Sequence, residues 1–101
     1  MTTLHVVSHS PFADDRLQSC IRLLRPEDGL LLCGNAVEAL RDGTKPRALL
    51  DEAAAASRSI YALDEDLAAR ALAGLPEWLR AVDYAGFVEL SCQYQRVNGW
   101  T

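Results

Sequence analysis

The stretch Ser59–Ala73, SIYALDEDLAARALA, constrains this chain more than any other. It opens as a strand. Ile60-Tyr61-Ala62-Leu63 is apolar at every position and includes β-branched and aromatic side chains, the pattern of a strand covered on both faces. At Asp64 the pattern changes abruptly. Asp64 is a good N-cap residue, because its carboxylate can accept a bond from an orphan N–H of a first helical turn. Glu65 and Asp66 put negative charge at the positive end of the helix dipole. Leu67 and Ala71 carry the helical period, and Asp66 and Arg70 can pair at i,i+4. Gly74 and Pro76 end the helix. A strand that feeds directly into a capped helix is half of a βα unit, and this one reads as a middle strand.

Other units fall beside it. Thr3–Ser8 reads as a first buried strand, and Ser10-Pro11 as a turn, since the residue before proline avoids the helical region. Asp14 and Asp15 suit a helix start. Leu17, Cys20, Ile21 and Leu24 then follow at i, i+3, i+4 and i+7, one apolar stripe. Pro26–Gly29 is a turn, and Leu30–Cys33 a fully apolar second strand. Ala36–Leu40 is a short helix, Asp42–Pro46 a surface loop, and Arg47–Ser57 an alanine-rich helix. Pro76–Arg80 is a connector, and Ala81-Val82 a very short strand. Asp83 caps a last helix, Tyr84–Tyr94, with Phe87, Leu90 and Tyr84 as its apolar face. Gln95–Trp100 is an edge strand. Strands alternating with helices, without tight hairpin signals, predict an α/β fold: a single-domain, mostly parallel five-stranded sheet with helices on both faces.

The 101 residues are expected to form one domain spanning 1–101. A net charge of -4 lacks the basic footprint of sequence-blind nucleic-acid binding. No basic segment and long apolar run follow Met1, and no window has the apolar length of a membrane span. A cytoplasmic protein with neither membrane nor direct nucleic-acid contact is therefore expected. Cys20, Cys33 and Cys92 are an odd number without CxxC spacing, so they read as reduced thiols. Half of the residues are hydrophobic, and the excess over a small core can serve a partner.

Ligands of open α/β sheets sit beyond the carboxyl ends of the strands. Here those ends are His9-Ser10, Cys33-Gly34-Asn35, Asp64-Glu65-Asp66 and Asp83-Tyr84. No glycine-rich phosphate loop is present, and Cys33-Gly34-Asn35 reads as a strand-to-helix turn rather than an anion site. Asp64–Asp66 reads as a solvated helix start. Cys20 has two readings: a structural thiol within the apolar stripe, or a thiolate held by Arg16 and Arg22 at the solvent edge of the helix. Cys33 and Cys92 read as core or near-core thiols. His5 reads as a buried, hydrogen-bonded imidazole and His9 as a strand-end residue that can be exposed. Trp78 and Trp100, in the least regular parts, suit core burial or interface anchoring.

LHVVSHSPF at Leu4–Phe12, IYALDEDLAARAL at Ile60–Leu72, VDYAGFVEL at Val82–Leu90 and the late Trp100 together resemble the TusB/DsrH family of the DsrE/DsrF/DsrH-like superfamily. The resemblance is weaker over Asn35–Ser57. It implies a sulfur-relay subunit. In such a relay TusC-like and TusD-like homologues complete a heterohexamer. That complex takes persulfide sulfur from a TusA-like donor and hands it to a TusE-like acceptor, for 2-thiolation of the tRNA wobble uridine. The alternative it implies is a DsrH-like subunit of a sulfur-oxidation complex. DsrH-type chains carry a sulfur-accepting thiol in the first helix, where Cys20 stands, so Cys20 is the candidate catalytic residue. Thiolate attack on sulfur needs no cofactor and no metal, and an assembly role is the main expectation.

Overall fold

The computed structural model describes residues 2–100. Five strands form one sheet, and every pairing in it is parallel. They are β1 (Thr3–Val7), β2 (Gly29–Leu32), β3 (Ser59–Leu63), β4 (Arg80–Val82) and β5 (Arg96–Trp100), ordered β4-β3-β2-β1-β5. The helices are α1 (Arg16–Leu23), α2 (Lys45–Ala55), α3 (Asp64–Ala69) and α4 (Tyr84–Gln93), with a 3-10 segment at Gly34–Leu40. The expected α/β class and five-stranded sheet are present, and the sheet is parallel throughout.

The strand order explains the layers. From β1 to β4 the chain steps one strand at a time in one direction. It then crosses back over the sheet through α4 to reach β5. Parallel crossovers have one hand, so reversing direction puts the crossing element on the opposite face. One face accordingly packs α1, the 3-10 segment, α2 and α3 over Val7, Leu30, Leu32, Ile60 and Ala62. The other packs α4 alone, through Leu90, Phe87 and neighbouring Tyr94, over Leu4, Leu31 and Tyr61. Leu30, Leu31 and Leu32 are fully buried, and alternate residues serve the two cores. Each such leucine contributes about 1.5–3 kcal/mol relative to leaving it exposed.

Several boundaries differ from the sequence expectation. Asp64 does not cap α3; the cap position falls on Leu63, with no side-chain bond, and Asp64 is the first helical residue. Helix α3 also stops at Ala69 rather than running to Ala73. Ala71 takes a left-handed φ of 50°, its amide bonds to Ala68 O, and the Leu72 amide bonds to Leu67 O. That is a Schellman closure, and Leu72 packs on the core that buries Leu67. Ser57 closes α2 in the same way, with φ 65° and the Arg58 amide on Ala53 O. Helix α2 begins earlier than expected, at Lys45. Thr44 accepts the Arg47 amide, and Pro46 fits the first turn, where its missing N–H costs nothing. Asp83 caps α4 as expected, accepting from the Gly86 amide at 2.7 Å.

Candidate functional site

The carboxyl ends of β2 and β3 meet in a closed polar cluster. Gly34 has a φ of 52°, which turns the chain sharply out of β2. Its amide donates to Asp66 Oδ2 at 2.8 Å. The turn lies beyond the carboxyl end of β2, and a carboxylate of the chain itself fills it. Arg70 locks the arrangement. It donates to Asn35 Oδ1 at 2.7 Å and to Asp66 O at 3.3 Å, and its Nε lies 3.6 Å from a Glu38 carboxylate oxygen. Asp66 is therefore a half-buried bridge between two βα units, while Asp64 and Glu65 remain exposed. No group of three or more histidine, cysteine or acidic side chains could hold a metal ion among the described residues.

The three thiols lie apart. Cys20 is 0 % exposed, within the core that also holds Val7, Leu17, Leu24 and Leu30. Burial, and secondarily the Asp28 charge, pushes its pKa up to about 12. Arg16, one turn earlier, pairs with Asp14 at 3.6 Å. Cys33 is half-buried at the end of β2, and its Sγ donates to Val7 O at 3.7 Å. Burial and the neighbouring Asp66 charge raise its pKa. Cys92, expected in or near the core, is exposed. Helix α4 turns Phe87, Leu90 and the following Tyr94 inward, so Cys92 falls on the outer line with Tyr84 and Val88, at i, i+4 and i+8. A thiolate is the nucleophile in sulfur exchange, and both Cys20 and Cys33 are held in the neutral form.

The first strand carries a second constellation that the sequence did not reveal. His5 is buried, as expected, and its Nε2 lies 3.4 Å from Asp28 Oδ2. Trp100 Nε1 donates to His5 Nδ1 at 3.0 Å. Asp28 also accepts the Thr3 amide at 3.0 Å and the Arg25 amide at 3.1 Å. Burial alone would raise the Asp28 pKa, but those two amides and His5 outweigh it and hold it below the usual carboxylate range. His9 is half-buried, and its Nδ1 has no hydrogen-bond partner. Trp78 donates to Asp51 Oδ1 at 3.1 Å beneath the Arg47 guanidinium. Both tryptophans are thus half-buried against the larger core.

Two hollows flank the first helix. One, of ≈ 410 Å³, lies between Phe12, Asp15 and Leu17 on one side and Lys45, Pro46 and Leu49 on the other. The other, of ≈ 300 Å³, lies between Arg16 and the Asn98–Trp100 end of β5. The apolar surface is uneven. Helix α4 carries one charged residue, Glu89, and exposes Tyr84 (65 %) and Val88 (45 %) on its outer side. No helix among the described residues is long and apolar enough to cross a membrane.

The family model described as DsrH like protein matches residues 9–97. Protein TusB of Escherichia coli O81 (strain ED1a) is 35 % identical over 98 residues, covering 96 % of this chain and 99 % of the relative. Protein TusB of Yersinia pestis (strain Pestoides F) is 33 % identical over 99 residues, with the same shares covered. Among solved structures, the ychN protein from E. coli superposes with a TM-score of 0.79 over 98 % of this chain and 99 % of that one, at 17 % identity. A protein of unknown function from Methanobacterium thermoautotrophicum gives 0.69 over 96 % of each, at 14 % identity. These two likenesses support the fold alone.

Proposed function

The chain belongs to the DsrH family of sulfur-relay proteins, and on that premise we propose that it is the TusB-like subunit of a TusBCD-like complex. In this reading residues 1–101 act as one domain in the cytoplasm. TusC-like and TusD-like homologues complete a heterohexamer with it. The complex receives persulfide sulfur from a TusA-like donor and passes it towards a TusE-like acceptor for 2-thiolation of the tRNA wobble uridine. This chain completes the assembly, and the carrying thiol belongs to a partner.

The observation that supports an assembly role is the state of the thiols. Sulfur transfer is attack by a thiolate on the outer sulfur of a persulfide, with the donor cysteine leaving as a thiolate. Cys20 is sealed in the core and strongly disfavours its thiolate. Beyond the carboxyl end of β2, Asp66 fills the turn. Helix α4 supports the same reading, because Tyr84 and Val88 leave apolar surface exposed on its outer side that a partner can cover. The relatives named Protein TusB favour the tRNA branch over sulfur oxidation.

The test is co-expression with TusC-like and TusD-like subunits, followed by native mass spectrometry. The complex is then loaded with labelled persulfide and the label located by peptide mass. The expected result is a complex containing this chain with label on a partner, and a Cys20→Ala complex that assembles and transfers sulfur with at most a partial loss. Stoichiometric label on Cys20, with transfer abolished in Cys20→Ala, overturns the assembly reading in favour of a DsrH-like sulfur acceptor. Failure of this chain to associate with either partner overturns both.

A further inference from the structure

We propose that Trp100 and His5 form a proton-controlled latch on the edge strand β5. An indole N–H can only donate. Since Trp100 Nε1 points at His5 Nδ1 across 3.0 Å, Nδ1 must present its lone pair. A neutral imidazole then carries its hydrogen on Nε2, the nitrogen 3.4 Å from Asp28 Oδ2. The contacts therefore select both the protonation state and the tautomer of His5.

A proton taken up from solvent has one place to go, Nδ1, the atom that Trp100 uses. The product donates from both nitrogens. It keeps Asp28 as a partner and gains an ion pair with it. It also faces the Trp100 N–H donor to donor, so the indole must turn away. Asp28 remains ionised where imidazoles change charge, because the Thr3 and Arg25 amides favour its carboxylate. The other groups around the latch do not substitute for Trp100. Leu30 of β2 and Asn98 of β5 stand opposite His5 in register. Cys20 of α1, close enough to feel Asp28, stays neutral. Arg16 of α1 lines the hollow beside Trp100, carries positive charge and is paired with Asp14.

The strand that the latch holds is an edge of the sheet. β5 pairs with β1 alone, and of its five residues only Trp100 is not exposed. Opposite Val7, Trp100 combines a ladder position with a side-chain bond into the core. Releasing it loosens the Gly99–Trp100 end of the edge and opens the hollow bounded by Arg16. Protonation thus weakens one edge of the sheet while leaving the Asp28 end of the chain of bonds in place.

The test is a pH titration of the full chain labelled with nitrogen-15, from about pH 8 to about pH 5, where imidazoles change charge. Trp100→Phe identifies which indole resonance is Trp100; Trp78, bonded to Asp51, is the internal control. The Trp100 indole resonance is expected to move with the His5 midpoint while Trp78 stays. Amide exchange at Asn98 and Trp100, the β5 positions whose amides face β1, corrected for intrinsic pH dependence, is expected to accelerate about tenfold relative to Tyr61, the loss of roughly one hydrogen bond. In His5→Gln, which does not titrate, both responses vanish. Should that variant not fold, Trp100→Phe serves instead, with Asn98 exchange fast and independent of pH. A Trp100 resonance that ignores His5 protonation overturns the latch. So does β5 exchange that follows β3 at every pH, or a pH response that survives in either variant.

Discussion

The Asp66 carboxylate accepts the Gly34 amide proton across 2.8 Å, and so the helix of one βα unit closes the turn of its neighbour. Two loops that an open α/β sheet usually leaves free for a ligand are tied to each other. The tie is braced by Arg70, which reaches Asn35 and Glu38 from the C-cap of the same helix. Chemistry at this edge would first have to displace a carboxylate that the protein supplies itself.

Asp66→Ala is expected to cost about 1–3 kcal/mol, because it leaves the Gly34 amide without its acceptor. Asp66→Asn keeps an oxygen in place and should cost less. Urea unfolding of the two variants checks this. An alanine variant no less stable than the asparagine variant would remove the bridge from the account.

Asp28 makes stability depend on pH. Its folded pKa is lowered, so its contribution is complete above the unfolded carboxylate value and is lost as pH falls through the folded one. Asp28→Asn is expected to be destabilised by about 1.5–3 kcal/mol near neutral pH, the range for bonds to a charged group. That deficit should shrink as pH falls below about 4, where the unfolded carboxyl is protonated as well. Denaturant midpoints measured for both proteins at a series of pH values give the difference directly; a deficit that stays constant down to acid unfolding would contradict it.

Gly29 ties α4 to the sheet. A Cβ added there would lie 2.8 Å from Tyr94 Cζ and 3.2 Å from Leu4 Cδ1, both closer than such atoms pack. Gly29→Ala should therefore push the Tyr94 ring outward and cost about 1–3 kcal/mol, the usual range for overpacking. Tyr94→Phe in that background removes the atom nearest the new methyl and is expected to recover part of the loss. A double-mutant cycle by thermal unfolding checks the coupling; strict additivity of the two changes would place the strain elsewhere.

What the sequence made legible was short-range. Leu30-Leu31-Leu32 is apolar at every position, so a strand buried on both faces was the natural reading, and the Asp83 cap lies three residues from the amide it serves. What it hid depends on distant partners. Trp100 meets His5 across 95 residues of chain, and Asp66 meets Gly34 across 32. The left-handed Ala71 closes α3 without a glycine or asparagine to announce it, in a turn that brings Leu72 onto the core. Cys20 was legible as part of a stripe, but a stripe does not say how deeply it sinks. Cys92 was misplaced because apolar residues occur on both sides of α4, and its inward side had to be seen.

The thiols should separate by reactivity, and their order bears on function. At about pH 7.5, iodoacetamide is expected to modify Cys92 first, because it alone is exposed. Cys33 should follow slowly, since burial and the Asp66 charge both oppose its thiolate. Cys20 should remain unmodified until the protein unfolds, with a pKa near 12 and no exposed surface. Peptide mass spectra taken along the time course give the order. Cys20 modified in the native protein as fast as Cys92 would mean that α1 opens readily. The thiol would then be available to a persulfide donor, and the assembly reading would lose the observation that supports it.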